Sequence, residues 1–166
     1  MDLIKTKNPN FTVKFATPDD AELIVDYMKK LGEYQKMLDK ITSTKESVLK
    51  LLLEKKGEAI LGYYNEELVS FAYFYENSSA FIGETGLYID AFYVDENMRF
   101  KGIGKIMMAF MSKLATERGC KRLEWGCLDW NESAIKFYKE LGAVGVDIMT
   151  IYRFPEDKLI STATEF

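Results

Sequence analysis

Residues 86–114 set a strand, a glycine turn and a helix in immediate succession, and this succession restricts the fold more than any other feature of the chain. GLYIDAFYV (86–94) reads as a strand and RFKGIGK (99–105) as a turn, while Ile103, Met107, Phe110, Met111 and Leu114 recur at helical spacing. Such a unit belongs in a sheet covered by helices.

The flanking sequence supplies the rest of that sheet. FTVKFA (11–16) alternates as a strand does. Thr17-Pro18-Asp19-Asp20 has the form of a helix start, Ala21, Ile24, Met28 and Leu31 continue at helical spacing, and Gly32 is the expected stop. A second helix is expected over residues 44–54, ending near Gly57. EAILGYY (58–64) and LVSFAYFY (68–75) form a hairpin about NEE. KRLEWGCL (121–128) reads as a strand, NESAIKFYKELG (131–142) as a short helix ending at Gly142, and VDIMTIYRF (146–154) as a closing strand. The expected order is β-α-α-β-β-β-α-β-α-β: an α/β (α+β) fold with a mixed central sheet flanked by helices. With 166 residues, 48% of them hydrophobic, the chain is expected to be one domain over 1–166.

Composition excludes several function classes. No apolar run approaches the length of a membrane span, and MDLIKTKNPNF lacks a secretory h-region, so a cytoplasmic protein with no membrane partner is expected. A net charge of −4 without a basic tract argues against nucleic acid. The chain has no histidine, which excludes Ser-His-Asp and Cys-His hydrolases and leaves acid–base work to carboxylates, Tyr, Cys, Lys or water. Cys120 and Cys127 read as reduced thiols, and no metal site is expected.

The glycine turn resembles two familiar phosphate loops and matches neither. A P-loop ends in Gly-Lys-Ser/Thr, but Ile106 follows Gly104-Lys105, so the magnesium-binding hydroxyl is missing. A dinucleotide fingerprint needs a third glycine where Met107 stands. What remains is Arg-x-x-Gly-x-Gly opening a helix. Backbone N–H groups, the helix N-terminus and the charges of Arg99, Lys101 and Lys105 suit a pyrophosphate that is held and not cleaved. The alternative is an ordinary strand-to-helix turn with solvated cations.

Arg99 to Gly104 resembles motif A of the GCN5-related N-acetyltransferases, and DWNESAIKFYKELG (129–142) resembles their motif B helix. LYIDAFYV, EWGCLDWNESAIKFYKELGA and IYRFPEDKL are similar to the diamine acetyltransferases, which act on spermidine, spermine or thialysine-like amines. The resemblance implies acetyl-coenzyme A as cosubstrate, a small-molecule amine as acceptor and a homodimer. It places the pyrophosphate on Arg99, Phe100, Lys101, Gly102, Ile103, Gly104 and Lys105. The pantetheine falls to backbone groups of Phe92, Tyr93 and Val94, with Asn131 and Lys139 further coenzyme contacts.

Two residues take chemical roles by the same resemblance. Tyr138 corresponds to the motif B tyrosine that protonates the leaving thiolate, a task suited to a phenol. Its alternative role is core packing, since Ala134, Phe137, Tyr138 and Leu141 form a stripe. Asp90, a lone acid in an apolar strand, stands where diamine acetyltransferases carry a proton-accepting glutamate, and a structural ion pair is its alternative. Ala91 replaces a second acid of those enzymes, so Glu33 and Tyr34 are further substrate-binding candidates. The expected activity is direct acetyl transfer to a small primary amine such as a polyamine, diamine or lysine-like amino acid. Rivals are an aminoglycoside or protein amino group as acceptor, or a non-catalytic acyl-coenzyme A sensor.

Overall fold

A six-stranded sheet organises residues 3–126 in the computed structural model, which describes residues 3–166; Met1 and Asp2 of the MDLIKTKNPNF stretch lie outside the described residues. The strands are β1 Ile4–Lys5, β2 Phe11–Phe15, β3 Glu58–Tyr64, β4 Glu67–Ser79, β5 Glu84–Val94 and β6 Arg122–Trp125, in chain order across the sheet. The first five pair antiparallel, and β6 joins β5 in parallel through the crossover helix α3 (Ile103–Glu117). The short β1 has no counterpart in the expected order.

Helices cover both faces of this sheet. Ala21–Tyr34 is α1 and Lys45–Leu53 is α2, and they share a core with Ala59, Leu61, Phe71, Ala91 and Tyr93. On the opposite face, Phe15 aligns with Ile60 in the ladder and meets Phe110 of α3 with ring centroids 6.0 Å apart. Ile103, Met107, Met108, Met111 and Leu114 bury the inner stripe of α3. Arg118 then grips Glu58 through two parallel hydrogen bonds of 2.6 and 2.8 Å, fixing the end of α3 to β3.

The stop of α1 differs from expectation, while α2 ends within a residue of its expected boundary. α1 runs through Gly32 and ends where Lys36 takes a φ of 57°, and α2 ends where Lys55 takes 53°. The glycines serve close approach instead. A methyl on Gly32 would lie 2.6 Å from the Ile41 side chain, and one on Gly57 2.0 Å from the Tyr73 hydroxyl. At the β3–β4 hairpin, Asn65 and Glu66 both adopt left-handed conformations, the two-residue turn that matches strand twist.

Residues 127–166 form a second compact unit with two helices, α4 (Glu132–Glu140) and α5 (Glu156–Ala163). Gly142, at φ 91°, closes α4 as expected, with Ala143 N–H bonded to the Tyr138 carbonyl. The closing strand expected at VDIMTIYRF is not formed. Its apolar side chains stay exposed, and alternation yields a strand only where a neighbour completes the ladder, which none does here among the described residues.

A buried ion pair anchors the start of α1. Lys14 of β2 donates to Asp20 at 3.0 Å, and the other carboxylate oxygen receives the Thr17 N–H at 2.8 Å. Burial alone would raise the Asp20 pKa; the bonds to Thr17 and Lys14 outweigh it and the net shift is downward. Asp20→Ala, which strands the Lys14 ammonium, is expected to cost about 3 kcal/mol in urea unfolding. Because the folded pKa is depressed, the stabilisation is complete above the ordinary value of 3.8 and disappears as pH falls through the lower folded value. The variant should lose that acid dependence.

Candidate active site

The candidates Asp90, Phe92, Tyr93 and Val94 all lie on β5, where the ladder slips by one residue. Tyr73 of β4 aligns with Ala91, but Phe74 aligns with Ile89, which leaves Asp90 as the extra residue of a bulge. The slip switches faces. Ala91 and Tyr93 pack in the α1–α2 core, whereas Ile89 pairs with Phe74 on the other side of the sheet. A lone acid inside an apolar strand therefore stands at a place where the strand is already broken.

Asp90 is exposed, yet partial burial against the sheet raises its pKa above the ordinary carboxylate value. Tyr73 and Tyr75 share one face of β4 and lie within reach of its charge. Burial, then the Asp90 carboxylate, raises the pKa of both hydroxyls. Tyr88 completes the group, opposite Tyr75 with ring centroids 5.5 Å apart. None of these tyrosines figures in the reading of the sequence. Alternation in FAYFY puts Tyr73 and Tyr75 on one face, but a bulge leaves no trace in a pattern of period two.

Beyond Asp90, β5 has an open edge. Its parallel pairing with β6 ends at Ile89 opposite Trp125, while the strand continues to Val94 on the β4 side. Among the described residues no further ladder partner covers the β6 side of Phe92 and Val94. Apart from the Val94 carbonyl, which accepts from Arg99, these backbone groups are available to the amides of an extended ligand.

The strand then runs into the glycine turn. Tyr27 of α1 holds the junction, its hydroxyl 2.8 Å from the Leu68 carbonyl and 3.1 Å from Asp95, which also accepts from Lys30 at 2.9 Å. Gly102 takes the left-handed conformation immediately before α3, whose first-turn N–H groups, at Ile103, Gly104 and Lys105, have no intrahelical acceptor. Phe100 is fully exposed and also left-handed at φ 62°, an uncommon conformation for a bulky residue. Lys101 leans on the Met98 sulfur at 3.6 Å. Arg99 turns back from the loop: its Nε donates to the Val94 carbonyl at 3.2 Å and its guanidinium lies 4.3 Å from the Tyr34 ring and 5.4 Å from Tyr93.

The structure thus brings Tyr34 together with Tyr93 and Arg99. Glu33 and Tyr34 line a cavity of about 640 Å³ with Lys30, Tyr93, Asp95 and Glu96, and that lining does not include Asp90. In the second unit, Tyr138 is half-buried on α4 with its ring 5.3 Å from Phe137. Asn131 is the helix cap, accepting the Ala134 N–H at 3.2 Å, and Lys139 is exposed in the last turn. Burial, reinforced by Asp129, raises the Cys127 pKa and so disfavours its thiolate form. No helix is long and apolar enough to cross a membrane among the described residues.

Residues 22–143 match the acetyltransferase (GNAT) family. The thialysine N-epsilon-acetyltransferase of Caenorhabditis elegans is 29% identical over 137 residues, which span 82% of this chain and 85% of that protein. The L-ornithine N5-acetyltransferase of Arabidopsis thaliana is 37% identical over 76 residues, 46% of this chain and 33% of that protein. In fold, the chain is similar to an integron cassette protein of V. cholerae, with a TM-score of 0.75 at 22% identity over 93% of this chain and 98% of that one. An aminoglycoside acetyltransferase from a soil metagenome also superposes with a TM-score of 0.75, at 17% identity over 90% of this chain and all of that one. The family match extends from α1 through the bulged strand and the glycine turn to the end of α4, and the chain belongs to the GNAT family as an N-acetyltransferase.

Proposed function

We propose that this enzyme transfers an acetyl group from acetyl-coenzyme A to a small primary amine, and that residues 1–166 act as one catalytic domain. The observation that carries this reading is the order of features along one strand: a bulged acid, an open backbone edge, then a glycine turn that opens a helix. That order suits a thioester at Asp90, a pantetheine along Phe92 to Val94 and a pyrophosphate at Gly102 to Lys105. The orphan N–H groups of α3 and the uncovered edge of β5 fit these groups without any metal-dependent phosphate chemistry. Phe100, Lys101 and Arg99 border that cradle, and Asn131 and Lys139 are further contacts from α4.

The amine must lose a proton before it attacks, since a lysine-like amine has a pKa of roughly 10.4 in water. Asp90, with its raised pKa, accepts that proton directly or through one water. Nitrogen bonds to the thioester carbon, the carbon–sulfur bond breaks, and Tyr138 donates a proton to the departing sulfur. The second proton that the nitrogen sheds on becoming an amide passes through water and returns the Tyr138 phenolate to phenol. Neither cysteine is needed, so the transfer is direct. The activities of the relatives, on thialysine and ornithine, support an aliphatic amine as the acceptor. Cytoplasmic location and a homodimer complete the proposal; light scattering of the purified protein tests the latter.

Coenzyme A release across a panel of spermidine, thialysine, lysine and aminoglycosides tests the reading. Turnover of an aliphatic amine is expected; binding of acetyl-coenzyme A with no turnover anywhere in the panel would instead mark a sensor. Tyr138→Phe should lower kcat about a hundredfold with the amine KM little changed, and full activity at every pH would remove the tyrosine from the mechanism.

Asp90→Asn makes a paired prediction. Its kcat/KM at neutral pH should fall about a hundredfold or more, and the acidic limb set by Asp90 should vanish from the pH profile. Stability should move the other way. A raised folded pKa means that the ionised acid opposes folding above that pKa and ceases to do so below the unfolded value. The variant is therefore expected to melt at or above the wild-type temperature at neutral pH. A lower melting temperature would identify Asp90 as a structural ion-pair partner.

A further inference from the structure

The register of the sheet sets a second carboxylate beside Asp90. β5 and β6 run parallel with Tyr88 aligned to Glu124, and aligned residues of neighbouring strands share a face. Tyr88 lies opposite Tyr75, and the two rings meet at 5.5 Å with 32° between their planes. Tyr75 shares its face with Tyr73, and both respond to the charge of Asp90. Glu124, half-buried, therefore belongs to the face that carries Asp90 and three tyrosines. Gly126 follows on the same face of the chain, and a methyl there would lie 3.5 Å from the Tyr88 hydroxyl. The Tyr88 ring thus leans along the β6 side, over the ground that Glu124 occupies.

Resting on the amine-acetylating reading above, we propose that Glu124 is the second, specificity-determining carboxylate of the amine site, so that the preferred acceptor is an alkyl diamine or polyamine. Its reacting nitrogen lies at Asp90, and its remote ammonium lies against Glu124 and the faces of Tyr75 and Tyr88. One strand spacing and two residues of rise separate the two acidic positions by about 8 Å, a span for a short alkyl chain with a cation at each end. Aromatic faces beside a carboxylate favour an ammonium twice over, by cation–π attraction and by charge. Ala91, the residue after Asp90, contributes no charge, so the second anion comes from the neighbouring strand. The same pair of anions disfavours an acceptor that carries a carboxylate at its far end.

Three amines of one chain length separate these effects: diaminobutane, butylamine, which lacks the remote cation, and ornithine, which adds a carboxylate. Wild-type kcat/KM should favour diaminobutane over both others by about fivefold to tenfold, and added salt should erode the preference. Glu124→Gln should lower kcat/KM for diaminobutane by a similar factor through KM, with kcat and the butylamine values unchanged within about twofold. Glu124→Asp should recover part of the loss. Calorimetric titration of diaminobutane into the protein loaded with coenzyme A reads binding without turnover. If the amines are acetylated but Glu124→Gln weakens all three equally, or weakens none, Glu124 has no such role and the acetyltransferase reading survives. If no amine is acetylated yet diaminobutane binds in a Glu124-dependent way, the catalytic reading fails and the diamine site stands. Tighter binding of butylamine or ornithine than of diaminobutane overturns the proposal.

Discussion

One extra residue in β5 governs the arrangement of the whole site. Without the slip at Asp90, residues 87 to 93 would present the same alternate side chains to one face throughout. With it, Leu87 and Ile89 serve the α3 side while Ala91 and Tyr93 serve the α1–α2 core, so a single strand supports both layers of helices. The residue at the slip belongs to neither core. It is free to be an acid because neither layer of packing claims its side chain, and the sheet around it supplies the partial burial that raises its pKa.

The surrounding structure holds that strand at both ends. Upstream, the long hairpin partner β4 pairs with β5 along its length and brings Tyr73 and Tyr75 to the acid. Downstream, Tyr27 and Lys30 converge on Asp95, and Arg99 lies against Tyr34 and Tyr93 while its Nε donates to the Val94 carbonyl. Arg99, a cation expected to face an anion, thereby becomes a brace for the strand end. The positive character at the turn comes from Lys101 and Lys105 together with the backbone dipoles at the start of α3.

Much of this was legible in the sequence, and the failures share a cause. Strands and helices with strong periodicity appear where alternation and helical spacing put them, from Phe11–Phe15 to Glu132–Glu140. Asp90 and the glycine turn stood out because an acid in an apolar strand and a pair of glycines before a helix are locally anomalous. The errors arose where a local signal depends on a distant partner. Gly32 and Gly57 looked like helix stops, yet each makes room for a side chain brought by folding, Ile41 and Tyr73, while lysines take the strained stop positions. VDIMTIYRF has the alternation of a strand and no ladder to join. The tyrosines around Asp90 and the neighbouring Glu124 could not be grouped at all, because only the register aligns β4, β5 and β6.

The uncovered edge of β5 has a consequence for how this enzyme will look in mutational scans. Its hydrogen-bonding groups are peptide N–H and C=O, shared by nearly every amino acid, so replacing the side chain of Phe92 or Val94 leaves them in place. A scan by alanine will report packing defects there and pass over any hydrogen bond that the backbone itself makes. Proline, which deletes the donor itself, is the substitution to which such an edge is sensitive.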